Sequence, residues 1–436
     1  MSSSAAARLV DDDVLTEILL LLPPVSVLRS RAVCKRWRRI TTCPAFLAAY
    51  SRRRPLELLV YPEGYNMRPG AKSDIAGVDP LDDVGGYIRR YRRFLRLDRS
   101  LRLVDSRDGL LLLLELRSRS LLICNPATRQ LASLRSPTPD PCMSVMASGL
   151  YLHQPSGEHR VLCIGHVPPR GYKYDPASRC YCRRPDAGAE EGRDFHCVLS
   201  PGGAEPRRLG PVAAGSSVLI PGACVALGGA LYWTDHPEAG DSGDMVAFDT
   251  ASEAFRRIPA PPLGAGPRHR HHLRAFDMEG TLAVSAVAER SLRMDVWALE
   301  AGETTTTAWA CRLRIDLPPR GFMDFVQPSD EAVAVLEGGL LVVVGAGWVS
   351  LYDVKAKRTV SRTDHRRTRN VNRSLYRASL GQLPDQQPHA QPPPLPCLDD
   401  GQPPLHYWSP DHPLHVLPFA RSCQMWMLGG LEYACV

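Results

Sequence analysis

A short segment near the N-terminus constrains the fold of this chain more than any other feature. Between Asp11 and Tyr50, apolar residues recur at three- and four-residue spacing, which is the period of an amphipathic helix. The first apolar stripe consists of Val14, Leu15, Ile18, Leu19 and Leu22. Acidic residues 11–13 precede it and suit the positive end of a helix dipole. The pattern therefore predicts a helix that begins at these aspartates.

Further breaks divide the rest of this segment into short helices. Pro23-Pro24 end the first helix, and Ser26 is a candidate N-cap for a second helix. The Cys43-Pro44 break separates a last short helix that carries Phe46, Leu47 and Tyr50. Three or four such helices bury too little apolar surface to be stable alone. We therefore expect other structure to cover the surface that they leave.

The order of residues in this segment resembles the F-box. The matching residues are Asp12, Asp13, Leu15, Glu17, Ile18, Leu19, Leu22, Pro23, Leu28, Val33, Cys34 and Trp37. The Leu-Pro that opens the family pattern is replaced here by Val10-Asp11, which keeps an aliphatic residue at the first position.

The resemblance implies that the segment docks on the Skp-type adaptor of SCF (Skp–cullin–F-box) ubiquitin ligases. The adaptor-binding residues that it implies are Val10, Leu15, Ile18, Leu19, Leu22, Pro23, Leu28, Val33, Cys34 and Trp37. The alternative is a helical cap that packs only on its own domain.

After Pro55 the sequence changes to short apolar runs separated by Gly, Pro and Asp turns, which predicts an all-β domain. A weak repeat begins at Gly109, Gly229, Gly280 and Gly339, each followed by an apolar strand, and Gly149 is a further candidate. Units of this length with about four strands are typical of propeller blades. We expect a kelch-like β-propeller, with residues 56–61 completing the last blade. A pair of β-sandwiches is the alternative.

Two parts of the β domain resemble the F-box-associated domain of plant F-box proteins. They are residues 108–111 (Asp-Gly-Leu-Leu) and residues 124–130 (Cys-Asn-Pro-Ala-Thr-Arg-Gln). Asn125-Pro126 and Asp249-Thr250 are also ordinary turn formers, so we interpret them as turn residues rather than as contact residues. The resemblance implies a substrate receptor behind an adaptor-docking head.

The predicted organisation has four parts: a disordered N-terminus (1–8), an F-box (9–54), a β-propeller-like domain (55–380) and a disordered tail (381–436). Eleven prolines between residues 381 and 419 favour disorder in the tail. The fold class is thus mixed, with a small all-α head, an all-β domain and a tail.

Charge and composition limit the classes of function. Residues 1–54 hold ten basic and four acidic side chains, which account for +6 of the formal net charge of +7. This concentration in the head favours an acidic protein partner over nucleic acid. We expect no signal peptide and no membrane span. Thirteen cysteines, an odd number without a framework, fit the cytosol or nucleus.

The sequence contains no motif typical of catalysis, so we predict a non-catalytic protein without a cofactor or bound metal. Cys180, Cys182, His196 and Cys197 are soft ligands, but their spacing is not that of a zinc site. We predict a substrate-recognition subunit that binds the adaptor, through it the cullin and RING subunits, and an unknown protein substrate. The alternatives are a propeller enzyme or glycan-binding protein with a helical cap, and a nucleic-acid binder.

Overall fold

The computed structural model of the chain describes most of residues 11–383. The described residues are 11–60, 72–78, 92–98, 101–115, 120–134, 144–167, 172–175, 180–183, 193–201, 206–211, 224–234, 244–263, 271–288, 292–301, 307–317, 331–336, 338–345, 348–364, 371–381 and 383. Val10, the predicted tail beyond Leu383 and the predicted N-terminus lie outside them.

The N-terminal segment folds into four helices within the described residues. They are α1 (Asp12–Leu21), α2 (Pro24–Ser30), α3 (Lys35–Thr42) and α4 (Pro44–Arg52). The prediction that Ser26 caps the second helix is wrong, because α2 already begins at Pro24. Proline suits the first helical position, since its φ angle is fixed in the helical range and its missing N–H has no partner there anyway. We call residues 11–54 the head.

The rest of the described chain consists of strands. They are β1 (Glu57–Val60), β2 (Lys72–Val78), β3 (Arg92–Asp98), β4 (Leu101–Arg107), β5 (Leu110–Glu115), β6 (Leu121–Asn125), β7 (Gln130–Leu134), β8 (Ser144–His153), β9 (Glu158–Val167), β10 (Tyr172–Asp175), β11 (Cys180–Arg183), β12 (Arg193–Leu199), β13 (Arg207–Pro211), β14 (Val225–Leu227), β15 (Ala230–Trp233), β16 (Met245–Asp249), β17 (Ala254–Ile258), β18 (His271–Met278), β19 (Thr281–Ala288), β20 (Arg293–Ala301), β21 (Thr307–Asp316), β22 (Glu331–Leu336), β23 (Leu340–Gly345), β24 (Trp348–Asp353), β25 (Arg358–Asp364) and β26 (Val371–Tyr376).

In the described part of the chain, these strands pair into six four-stranded antiparallel sheets and one small hairpin. Four sheets are simple meanders of consecutive strands: β4–β7, β14–β17, β18–β21 and β22–β25. A fifth has the order β13-β12-β9-β8, with the β10-β11 hairpin inserted between β9 and β12. The sixth has the order β26-β1-β2-β3, so the two ends of the domain share one sheet. The expectation that residues 56–61 complete the last blade is confirmed for Glu57–Val60, which form β1 and pair with β26, while Tyr61 lies outside the described residues.

Apolar clusters between neighbouring sheets show that the sheets close into a ring. One cluster joins β4–β7 to the β8–β13 sheet, and others join each following sheet to the next. The last two clusters join β22–β25 to β1 and β1 to β4–β7, which returns to the starting sheet. The domain is therefore a β-propeller whose blades are these sheets, as the sequence predicts, and the alternative pair of sandwiches is excluded.

The glycine repeat marks the turn before the second strand of a blade. Asp108 and Gly109 both have positive φ (52° and 77°), as do Glu279 and Gly280 (53° and 85°), which is the backbone of a tight two-residue hairpin turn. Gly229 and Gly339 occupy the same place before β15 and β23. Gly149 does not open a unit, because it lies inside β8 at a shift in the β8–β9 register.

Candidate functional site

The four helices of the head pack on one small apolar core. Its buried members from the helices are Leu15, Leu19, Leu20, Val27, Ile40, Phe46 and Tyr50. The remaining buried member, Leu380, comes from the chain after β26. The surface that the short helices cannot cover is thus partly covered by the other end of the folded chain.

Polar contacts fix the end of α1 against α4. The Tyr50 hydroxyl donates to the Leu22 carbonyl oxygen at 2.9 Å, and the Arg54 guanidinium donates to the carbonyl oxygens of Leu20 and Leu22. The Arg54 guanidinium also lies over the Tyr50 ring, 4.3 Å from its centroid. A cation at the last carbonyls of a helix satisfies groups that have no partner within the helix. These contacts hold α1 in one orientation.

Ion pairs on the surface fix the other side of α1. Asp12 accepts from Arg36 at 2.6 Å and from Arg39 at 2.5 Å, so the start of α1 lies against the first turns of α3. Glu17 pairs with Arg53 at 2.7 Å. The Arg36 hydrogen bond lowers the pKa of Asp12, and the Arg53 hydrogen bond lowers the pKa of Glu17. Because the pairs are exposed, they orient α1 more than they stabilise it.

One face of α1 is apolar and has no cover within the described chain. Val14, Ile18 and Leu21 are 53%, 48% and 75% exposed. Their i, i+4, i+7 spacing puts them in one line along the helix, beside the buried line of Leu15 and Leu19. We call Val14, Ile18 and Leu21 the apolar stripe. An uncovered line of aliphatic side chains on a closed core is typical of a docking surface.

A further exposed apolar residue lies near the beginning of this stripe. Val33 is 63% exposed in the turn between α2 and α3. The Asp12–Arg36 ion pair brings this turn close to the first turn of α1. Val33 is therefore a further exposed aliphatic residue on the side of the head where α1 begins.

The structure divides the predicted adaptor-binding residues into two groups. Leu15 and Leu19 are buried in the core, and Leu22, Leu28 and Trp37 pack partly against it. Ile18, Pro23, Val33 and Cys34 are exposed. The second group is the more accessible to a partner, Leu22, Leu28 and Trp37 keep part of their surface exposed, and Leu15 and Leu19 support the surface from beneath.

Two residues of the apolar stripe were absent from the predicted docking set. Val14 was interpreted only as part of the helix pattern, and Leu21 was not singled out. The signal that finds them is their spacing from Ile18, four residues before and three after. That spacing marks Val14 and Leu21 as part of the apolar face of α1, and the packing of the head then shows that their line faces away from the core.

Much of the basic charge in the head is already engaged internally. Arg31 donates to the Thr41 carbonyl oxygen at 2.9 Å, and burial lowers its pKa. Arg54 lies against α1, while Arg36, Arg39 and Arg53 pair with carboxylates. These arginines are engaged by carboxylates and carbonyl oxygens of the head itself, which disfavours the single free basic face that a nucleic-acid binder needs.

The propeller shows how two of the possible metal ligands are arranged. His196 and Cys197 are neighbours on β12, so their side chains lie on opposite faces of the sheet. The His196 ring packs on Phe255, 4.5 Å between centroids, whereas Cys197 is paired across the sheet with Cys163. Among the described residues, no three His, Cys, Asp or Glu side chains are grouped as metal ligands. No helix in the described ranges is long and apolar enough to cross a membrane.

Two family models match the chain. The F-box domain matches residues 10–47, which includes the apolar stripe and Val33. The F-box associated beta propeller domain matches residues 96–346, more than half of the chain.

Three curated proteins of Arabidopsis thaliana are similar to this chain. A putative F-box/kelch-repeat protein is 23% identical over 70% of this chain and 72% of its own length. An F-box protein is 24% identical over 68% of this chain and 77% of its own length. Another F-box protein is 30% identical, but over 35% of this chain and 38% of its own length.

Proposed function

The chain belongs to the plant F-box proteins that carry an F-box associated β-propeller domain, and we propose that it is the substrate-recognition subunit of an SCF-type ubiquitin ligase. The head docks on the Skp-type adaptor and through it on the cullin and RING subunits. The propeller binds a protein substrate. The cytosol or the nucleus is the expected location of such a complex.

The observation that carries this proposal is the apolar stripe. Val14, Ile18 and Leu21 are exposed although the core beneath them is complete. A partner that removes these aliphatic side chains from water lowers the free energy of the complex. Exposed Val33 lies on the side of the head where α1 begins.

The mechanism is proximity, and the chain contributes no chemistry of its own. The propeller holds a substrate near the ubiquitin-charged enzyme that the cullin scaffold recruits, which raises the effective concentration of the reacting groups. The loops at one end of a propeller are its usual binding surface.

A binding experiment with the full chain and a purified Skp-type adaptor tests the proposal. The wild type is expected to bind, and Ile18→Asp is expected to abolish binding because it places a charge in an apolar interface. Leu19 is a poorer target, since a charge there disrupts the core of the head.

Val360→Asp is a matched control. Val360 is 50% exposed, as Ile18 is, but it lies on β25 of the propeller. The control variant is expected to bind as the wild type does. Absence of binding by the wild type, or equal binding by Ile18→Asp, would refute the docking role of the head.

A further inference from the structure

The chain after β26 connects the core of the head to the core of the propeller. We call residues 377–381 together with Leu383 the strap. Leu380 is fully buried in the core of the head, among side chains from α1, α2, α3 and α4. Three residues later, Leu383 is buried in the cluster between the β4–β7 blade and the β8–β13 blade. The strap therefore has one anchor in each domain.

The β4–β7 blade holds the strap at its β6–β7 turn and at its β4–β5 turn. The Asn125 side-chain amide donates to the carbonyl oxygens of Gly381 at 2.7 Å and Ser379 at 3.2 Å. The backbone N–H of Leu383 donates to Oε1 of Gln130 at 3.0 Å. Asn125 is fully buried, so loss of these partners would leave polar groups unsatisfied away from water.

Gly109 lies directly beneath the strap. A Cβ atom at this position would lie 2.4 Å from Cβ of Ser379 and 2.6 Å from its backbone nitrogen. No side chain fits in that space. The glycine thus allows the strap to pack on the β4–β5 turn.

Equivalent turns in other blades have the same local structure but no strap. Asp249 and Asp353 accept hydrogen bonds from the backbone N–H groups two and three residues later, as the Asn125 side-chain oxygen does. Gly229 has a φ of 79°, close to the 77° of Gly109, yet none of the described residues lies within 4 Å of its Cβ position. The turn alone therefore needs no amide donor, and of these two glycines only Gly109 has its Cβ position blocked by the strap.

The residue after Asn125 shows the same specialisation. In two other blades the backbone N–H of Thr250 or Val354 donates to the carbonyl oxygen of the turn glycine, Gly229 or Gly339. The equivalent residue here is Pro126, which has no N–H to donate. The turn after β6, on the one described blade that carries the strap, therefore lacks the backbone hydrogen bond that these two other turns form.

We propose that Gly109, Asn125 and Gln130 form an interdomain clamp, which fixes the strap so that Leu380 completes the core of the head and the propeller keeps one orientation relative to it. The head is then attached twice, because α4 also leads into β1 within a few residues. Two attachments prevent the rotation that a single linker allows. The value of this rigidity for ubiquitin transfer rests on the proposed function, since it would hold the bound substrate at a constant distance from the ubiquitin-charged enzyme.

Amide hydrogen exchange of the full chain, measured by mass spectrometry, tests the clamp. Asn125→Asp keeps the acceptor oxygen of the turn but removes both donors and turns a carboxylate toward two carbonyl oxygens. It is expected to speed exchange in the strap and in α4 by roughly tenfold or more. Gly109→Ala is an independent second variant with the same expectation, because it displaces the strap sterically.

Asp249→Asn and Gly229→Ala are the matched controls. Asp249→Asn is the reverse of the change at Asn125, and Gly229→Ala is the same change as at Gly109, both in a blade where no strap binds. Both controls are expected to leave exchange in the strap and α4 at the wild-type rate. Wild-type exchange of the strap in both Asn125→Asp and Gly109→Ala would overturn the proposal. Equal acceleration by the controls would also overturn it, as would equal acceleration in β20, because either result makes Asn125 a general stability residue.

The exchange is also measured with the Skp-type adaptor added, so that the clamp and the proposed function are tested separately. Exchange in the free chain tests the clamp whether or not the adaptor binds. Failure of the wild type to bind the adaptor would refute the docking role alone.

Discussion

Replacing the apolar stripe with alanine should weaken adaptor binding without unfolding the head. The change is the triple variant Val14→Ala, Ile18→Ala and Leu21→Ala, and alanine preserves the helix because it has the highest helix propensity. Complete burial of one such side chain contributes about 1.5–3 kcal/mol. Since 53%, 48% and 75% of these side chains remain exposed, docking can bury at most that share of each.

Together the three side chains then contribute about 3 kcal/mol to docking, so their loss should raise the Kd roughly hundredfold. Isothermal titration of the adaptor into the full chain measures this change, and circular dichroism checks that the helices are intact. By contrast, Leu19→Ala should lower the free energy of unfolding of the head by about 2–5 kcal/mol, because Leu19 is 0% exposed.

The reasoning is refuted if the folded triple variant binds within threefold of the wild type. It is equally refuted if the triple variant unfolds as readily as Leu19→Ala, since the stripe would then belong to the core. Val360→Ala, on the propeller, controls for the loss of an exposed aliphatic side chain.

Three further changes should have distinct effects on stability. Glu253→Ala should lower the free energy of unfolding by about 1–3 kcal/mol, because the carboxylate is 6% exposed and accepts from the largely buried Arg160 guanidinium and from the Tyr151 hydroxyl; Lys357→Ala, at an exposed turn position of similar φ, should cost much less in the same denaturant titration. Gly165→Ala should cost about 1–3 kcal/mol in thermal unfolding, because its Cβ would meet the Phe195 ring at 2.2 Å, and wild-type stability would show that the ring moves freely. The pKa of Glu17 is lowered in the fold, so its contribution to stability is present above the ordinary pKa of 4.5 and is lost as the pH falls through the lower folded value. Glu17→Gln should therefore make the melting temperature of the head depend less on pH in the acid range, and an unchanged pH dependence there would contradict this.

The strands that the sequence predicts are mainly those in the middle of a blade. β5, β6 and β16 are buried along most of their length, so they stand out as short continuous apolar runs. β17 and β25 are outer strands rich in arginine and polar residues, and the sequence pattern did not reveal them. An outer strand is stabilised by backbone hydrogen bonds to its neighbour, which any sequence can form.

The helical head, its F-box pattern, the all-β body and the repeated glycine turns are predictable from the residues alone, because each follows from spacing along the chain. Which apolar residues of α1 are covered depends instead on how the helices pack. Ile18 and Leu19 are adjacent and equally apolar, but Leu19 is buried by packing against α4 and Leu380, whereas Ile18 remains exposed. Asn125 likewise has one role that follows from the sequence and one that depends on packing. Its first role is to form the turn that the sequence predicts. Its second role depends on the strap, more than 250 residues away, and no local pattern contains a contact between such distant residues.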